Sequence, residues 1–381
     1  MMRVRLVLSL ALSLLFARTA NASPPPTGAD EGADPNPEEQ PERNFAGGFS
    51  LERGAWLATP HLEFGIGLLA QLRYGATLSS SGVDSLGFSL PFLRPNLHAS
   101  LFDGKLRFLI QPELSGPSVR LLDAQVVYQP IAAFGLDLGQ YRPHVSRAWN
   151  TPIPLLSMPG RGLVDDTFHS DRALGATVFG RPFGGKLEYD VGVFNGGGYN
   201  IGQPVQLEPL VAWRLGVNPL GPVPYTQTPA FAEVERPVFG FAVHGWTDRF
   251  RAEQVDPASK PEPQQRIVAG GDFVLMTSRT HTLVEGFARW AVDESGLFDA
   301  GWGSQVQFGV MLLPRTLELQ ARAGVLDPGT RRATQGVWEG GLSWYLWGNH
   351  LRAQLHYACT QNLSELGCTN HRAELQTQLW F

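Results

Sequence analysis

Lysine is nearly missing from this sequence: Lys105, Lys186 and Lys260 are the only three among 30 basic residues. A sheet face in bulk water accepts lysine freely, so this scarcity argues against an ordinary soluble surface. Cysteine is as scarce, with Cys359 and Cys368 alone. Two thiols are too few for a Cys-based metal site, and we read the pair, nine positions apart, as one disulfide pinning a loop. Beyond the first 22 residues no apolar run reaches the roughly 18 residues of a transmembrane helix, which excludes one there. A basic excess is also missing. The net charge is −5; residues 1–22 carry Arg3, Arg5 and Arg18 with no acid, residues 23–45 carry six acids against Arg43, and −3 is left on the rest. Nucleic acid is therefore not expected as a partner. Neither G-x-S-x-G nor H-E-x-x-H occurs, Gly196-Gly197-Gly198 opens no helix, and His350 and His356 stand too far apart for joint ligation. No cofactor and no metal site is expected.

The abundant residues suit a β-rich chain: 43 glycines, 22 phenylalanines and 10 tryptophans. The N-terminus reads as a secretory signal over 1–22, with Arg3 and Arg5 before the apolar stretch Leu6 to Phe16 and Ala20-Asn21-Ala22 as cleavage site. Residues 23–45 are rich in proline and acid, have almost nothing to bury, and are expected to be disordered. Residues 46–381 are then one barrel.

Within that span, apolar and polar residues alternate. Residues 96–111, NLHASLFDGKLRFLIQ, form a hairpin about Asp103-Gly104. A two-residue loop pairs Leu101 with Leu106, Ala99 with Phe108 and Leu97 with Ile110, and on the other face Ser100 with Arg107, Asn96 with Gln111 and Arg94 with Glu113. His98, Phe102 and Lys105 are the exceptions; a one-residue slip would mix both faces. Sixteen such segments are expected: 61–75, 91–102, 105–115, 119–129, 133–142, 172–181, 186–195, 207–218, 236–248, 264–277, 280–292, 299–312, 315–326, 334–346, 350–358 and 370–381. With a periplasmic N-terminus, the short turns 103–104, 182–185, 313–314 and 347–349 share one side, and the long connections 76–90, 143–171, 249–263 and 359–369 share the other. That asymmetry and the even count are those of outer-membrane barrels. The stretch 219–235 breaks the rule, being long on the short side; either that turn is elaborated or the count slips there.

The expected fold class is all-β, a transmembrane antiparallel barrel whose apolar faces meet outer-membrane lipid. Tyr74, Tyr128, Trp344 and Tyr357 stand near strand ends, as an interfacial girdle requires. The polar faces carry Arg, Glu and Gln, as befits a confined aqueous lumen.

Several stretches carry a resemblance: GQYRP (139–143), DRALGATVFG (171–180), VGVFNGGG (191–198), RLGVNPLG (214–221), GWGSQVQFGVMLLP (301–314), LELQARAGVLDPG (317–329) and GLSWYLWGNHLRAQLHY (341–357). In this order they resemble the phosphate-selective porin O/P family of Gram-negative outer-membrane channels. The resemblance implies a 16-stranded barrel, a homotrimer, and passage of small anions. It also implies that the strand ending at Phe381 is read by the barrel assembly machinery. Phosphate-specific members are richer in lysine at their binding zone, whereas 143–171 has none.

Loop 143–171 is the third outside connection, the one that narrows the lumen in general porins. Arg142, Arg147, Arg161 and Arg172 are the candidate constriction residues, because guanidinium forks bind oxyanions bidentately. They are equally compatible with loop packing. Along the walls Arg73, Arg94, Arg107, Arg214, Arg322, Arg352 and Arg372 either guide anions or neutralise facing acids such as Glu113, Glu188, Glu339 and Glu374. Three functions follow: a passive, anion-preferring channel; a structural or surface-binding barrel with a plugged lumen; and, least supported, a barrel enzyme with a rim cluster.

Overall fold

The computed structural model describes residues 45–381 except 197, 199–207, 233, 252–262, 294–295, 330–332 and 366. The expected signal 1–22 and all but Phe45 of the acidic segment 23–45 lie outside the described residues, as does most of connection 249–263.

The strands are β1 (Ala46–Ser50), β2 (Gly54–Ala58), β3 (Leu62–Ser79), β4 (Gly82–Leu101), β5 (Leu106–Glu113), β6 (Arg120–Ile131), β7 (Phe134–Tyr141), β8 (Ala173–Gly180) and β9 (Leu187–Phe194). They continue as β10 (Glu208–Val217), β11 (Val238–Arg251), β12 (Pro263–Met276), β13 (Thr280–Asp293), β14 (Gly296–Leu313), β15 (Leu317–Asp327), β16 (Gln335–Trp347), β17 (Leu351–Asn362) and β18 (Asn370–Trp380). Neighbours from β3 to β18 pair antiparallel in sequence order, and β18 pairs back onto β3 from Asn370↔Ser79 to Trp380↔Leu69. The result is a closed barrel of sixteen strands.

Its polarity is the reverse of a soluble protein's. Along β17, Leu355 and Tyr357 are 57% and 47% exposed, while Gln354 and His356 between and beside them are 2% exposed. The same alternation runs along β15, where Glu318, Gln320 and Arg322 are buried and Leu319 points out. An outer surface of Leu, Val and Phe fits hydrocarbon, and a closed ring leaves no unpaired strand edge to face it. Tyr128, Trp338, Trp344 and Trp347 are exposed near the strand ends, whereas Tyr357, expected there, is exposed in the middle of β17 because that strand runs on to Asn362.

The opening hairpin has the expected register: Leu101↔Leu106, Ser100↔Arg107, Ala99↔Phe108 and Leu97↔Ile110. Arg94 and Glu113 form an ion pair of 2.6 Å beyond that ladder. The strands stop at Leu101 and Leu106, so the connection is Phe102–Lys105 rather than two residues. Three consecutive residues in it, Phe102, Asp103 and Gly104, have positive φ. The disulfide between Cys359 and Cys368 is present and staples β17 to the turn before β18.

Other expectations change. Connection 76–90 is not a loop: β3 and β4 run on as a long hairpin with only Ser80 and Ser81 between them. Its β4 arm from Gly82 to Leu90 is exposed at every residue, so neither face is selected for polarity and no alternation marks it. Connection 359–369 begins only after Asn362, because β17 is longer than its pattern. Strands β1 and β2 were not expected. They form a hairpin, and β2 pairs with the inner end of β3 from Ala55↔Ile66 to Ala58↔Glu63, on the edge that β18 occupies further along. Between the two, Phe381 exchanges backbone hydrogen bonds with Leu68, and its ring meets Phe49 edge-on at 5.3 Å.

Gly139 in β7 has φ +125°, and a Cβ there would stand 2.0 Å from the Ala124 carbonyl oxygen of β6. Gly139→Val is expected to cost on the order of 3 kcal/mol. The check is urea titration in detergent, read by loss of the fast-migrating folded band on an unheated gel.

Candidate functional site

The connection 142–172 folds into the barrel and lies against one half of the wall. It has little internal ladder and is rich in proline, so its carbonyls need outside donors. The wall supplies them. Arg352 Nη1 donates to the Leu156 oxygen (2.7 Å), Gln354 Nε2 and Ser343 Oγ to that of Ser157 (2.7 and 3.1 Å), and Gln378 Nε2 to that of Pro154 (3.2 Å). Arg322 reaches the Gly160 oxygen at 3.0 Å and Arg73 that of Pro159 at 3.1 Å. Further round, Glu285 accepts from the Ala148 amide (2.8 Å), and Trp246 Nε1 donates to the Phe168 oxygen (2.9 Å). An apolar cluster inside the barrel, including Tyr141, Trp149, Val164, Phe168, Phe194, Trp246 and Phe287, seals the loop to strands β9–β15.

The inner connection 218–237 enters from the opposite end. The Gln227 amide donates to the Leu155 oxygen (2.9 Å), and its side-chain oxygen accepts from the Ser157 amide (3.1 Å) and from Gln307 (2.8 Å). Tyr225 donates to Glu188 at 3.0 Å, Asn349 to the Thr228 hydroxyl at 2.8 Å, and the Phe231 and Tyr345 rings are 4.8 Å apart. This explains why 219–235 broke the short-turn pattern: the turn is elaborated and the strand count is right.

Beside the inserts the described residues leave several spaces, two of which the loop itself lines. An outer cavity of about 470 Å³ is lined by Arg73, Arg161, Asp166, Arg322, Glu339 and Arg372, among others. An inner cavity of about 490 Å³ lies against β3–β8, lined by Arg94, Arg142, His144, Arg172, Arg181 and Tyr225, with Asp123 its one carboxylate among the described residues. Ile153 of the loop lines both.

Each candidate arginine now has a place. Arg142 is half-buried in the inner cavity, donates to the Trp149 and Thr151 carbonyl oxygens (2.6 and 3.5 Å), and has no carboxylate partner among the described residues. Arg172 also faces that cavity and grips Asp123 with two bonds of 2.9 and 3.2 Å. Arg161 lines the outer cavity, with its donors on the Ala148 and Thr151 carbonyls at 2.8 and 2.7 Å. Burial pushes the Arg161 guanidinium down to about 10, so it stays protonated at neutral pH. Arg147 does not face either cavity. It is 3% exposed, stacks over Tyr225 at 4.4 Å, donates to the Pro224 oxygen (3.2 Å) and approaches Asp272 to 3.7 Å, so it ties the outer insert to the inner one.

On the walls, Arg94 pairs with Glu113 and faces the inner cavity. Arg73 and Arg372 meet Glu374 at 3.1 and 3.5 Å, and Arg322 meets Glu339 at 2.5 Å. Arg107 is exposed near the inner mouth and bonds Gln129 at 3.2 Å. Arg214 and Arg352 are each 1% exposed and do not line water. Arg214 is enclosed by Glu188 (2.7 Å), Asp272 (2.5 Å) and the Val145 carbonyl oxygen (2.8 Å). Neutralisation and loop support thus account for most wall arginines. The sequence reading missed Arg181, which sits in the turn after β8 and pairs with Asp190 at 3.1 Å. It closes the expected strand 172–181, and its two-residue spacing from Thr177 and Phe179 is the signal that it belongs to the inward face.

No protein-family model matches the chain, and no curated protein sequence matches it. Among solved structures, the barrel is similar to outer-membrane expressed OmpT of Vibrio cholerae, with TM-score 0.61 and 8% identity over 86% of this chain and 100% of that one. It is also similar to an anion-selective porin from Comamonas acidovorans, with TM-score 0.59 and 9% identity over 84% and 100%. The outer-membrane channel DcaP of Acinetobacter baumannii aligns with TM-score 0.54 and 12% identity over 85% and 99%. At these identities the likeness is one of fold, and the fold is that of the outer-membrane porins.

Proposed function

We propose that this chain is an outer-membrane channel of a Gram-negative bacterium through which small hydrophilic solutes diffuse passively, with a preference for anions. The observation that carries the reading is Arg142 in the inner cavity: among the described residues it bonds only carbonyl oxygens, whereas Arg94, Arg172, Arg181 and His144 around it each meet a carboxylate. Burial and the neighbouring Arg161 and Arg172 push the Arg142 guanidinium well down from its ordinary value, but arginine keeps its proton in proteins, so a fork bonded only to carbonyls carries a charge that no acid cancels. The anion-selective porin from Comamonas acidovorans, similar in fold, supports the same direction. Membership of the phosphate-selective O/P family rests on the sequence resemblance alone, and the lysine-free loop favours general anion passage over phosphate specificity. The remaining parts of the reading are export by a signal over 1–22, a homotrimeric assembly, and recognition of the Phe381 strand by the barrel assembly machinery. One protein of this fold, OmpT of Vibrio cholerae, has been solved in a trimer form.

A second reading, a plugged barrel with a structural or surface-binding role, is favoured by the two inserts meeting inside the lumen through Gln227 and Leu155. A planar bilayer under a salt gradient separates the two. The channel reading expects discrete conductance steps with a reversal potential on the anion side, and a silent protein sinks it. Arg142→Glu is expected to move the reversal potential toward cations, whereas Arg147→Ala is expected to weaken thermal stability and leave selectivity nearly unchanged. Equal selectivity of wild type and Arg142→Glu would remove Arg142 from the mechanism. Shortening connection 218–237 to a tight turn is expected to raise single-channel conductance; an unchanged conductance would mean that this insert does not limit flow.

A further inference from the structure

We propose that Asp165, Asp166 and His169 hold a divalent cation on the loop that narrows the barrel. The helical turn Leu163–Phe168 and its C-terminal neighbour His169 bring one ligand atom from each of the three within 4.8 Å of one another. Clustering alone would not make a site. The decisive atom is Asp165 Oδ2. Asp165 is completely enclosed, its Oδ1 accepts from the Ser146 hydroxyl at 2.5 Å, and its Oδ2 has no hydrogen-bond partner among the described residues. A buried carboxylate oxygen without a donor is unfavourable, and a cation is one of the few groups that relieve it. The nearby guanidinium of Arg161 does not do so, because its donors are directed at the Ala148 and Thr151 carbonyls.

The other two members suit the role. His169 Nδ1 lies 2.9 Å from the Asp165 carbonyl oxygen, which puts the proton on Nδ1 and leaves the Nε2 lone pair free. Its ring is held by stacking on Trp149 at 3.8 Å. Asp166 is exposed and lines the outer cavity, which gives an ion a path from the outer mouth. Asp171 lies 4.0 Å from His169 Nε2 and can add a further oxygen. Two carboxylates and one imidazole, completed by water, are a donor set for Mn²⁺ or Zn²⁺. Glu285 is the other buried acid that acts on this site; it accepts from the Ala148 amide and from Gln305. The alternative relief for Asp165 is therefore a proton rather than a metal. The sequence signal is Asp-Asp-x-x-His, which a search for paired histidines or cysteines passes over.

The test uses the full chain, purified in detergent and stripped with EDTA. Mn²⁺ is titrated in and its free form read by electron paramagnetic resonance. The expected result is one Mn²⁺ bound per chain, with affinity falling by at least about tenfold in Asp166→Asn. The substituted position is exposed, so the folded gel band is expected to persist. Stripped protein that leaves all Mn²⁺ free would overturn the proposal and assign Asp165 a proton. Equal binding by wild type and Asp166→Asn would also overturn it.

Discussion

The closure of the sheet between β18 and β3 is the constraint on which the rest of this structure depends. An apolar outer surface has no water to satisfy a strand edge, so every edge on the ring must find a partner. Closing the ring then decides what is inside. With period two along each strand, placing Leu355 and Tyr357 outward forces Gln354 and His356 inward. The interior is consequently crowded with polar groups that must satisfy one another, and the ion pairs Arg322–Glu339, Arg94–Glu113 and Arg214–Asp272 are the outcome. The β1–β2 hairpin belongs to the same problem. It continues the pairing of β3 past the end of β18, so the innermost residues of the seam are covered too.

The interior donors do a second job. A loop placed inside a barrel brings carbonyls that helix or sheet would otherwise satisfy. Arg352, Gln354, Gln378, Arg322 and Arg73 hold the carbonyls of residues 154–160, and this fixes the loop against β15–β18 and the seam with β3. Arginine suits the task because its fork serves a carbonyl and a carboxylate together, as Arg214 does with Val145 and Asp272. Counting arginines on the lumen face therefore overstates the free positive charge. Most of that charge is already balanced or committed to the loop.

The same logic sets what was legible in the sequence. All sixteen barrel strands could be read, and the Asp103-Gly104 register could be read residue by residue, because each strand separates two environments and alternation records that separation. Where there is no separation there is no record. Residues 82–90 are exposed throughout, and their Gly and Ser content reads as loop although they are strand. Strand β1 is likewise exposed along almost its whole length, and β2, at five residues, is too short for a period of two to stand out. For the site, residue type was legible and partnership was not. Arg142 and Arg147 stand five apart in one loop; the first faces a cavity and the second is clamped between Tyr225 and Asp272. Only the path of the loop separates them, and that path is set by donors on strands up to 224 residues further along the chain.

Selectivity in such a barrel is then local. The chain beyond residue 45 has a formal charge of −3, which taken alone would favour cations. The acids responsible are largely enclosed: Glu188, Glu285, Asp272 and Glu318 are each buried and meet no open water. Across a narrow path a charge matters in proportion to its nearness and its lack of compensation, because screening extends only about 8 Å at physiological ionic strength. Along the inner cavity the group without a carboxylate among the described residues is Arg142, while Arg172, Arg94 and Arg181 beside it are paired with Asp123, Glu113 and Asp190. The two inserts meet inside the barrel through Gln227 and Leu155, and the space they leave against β3–β8 is the one that Arg142 lines.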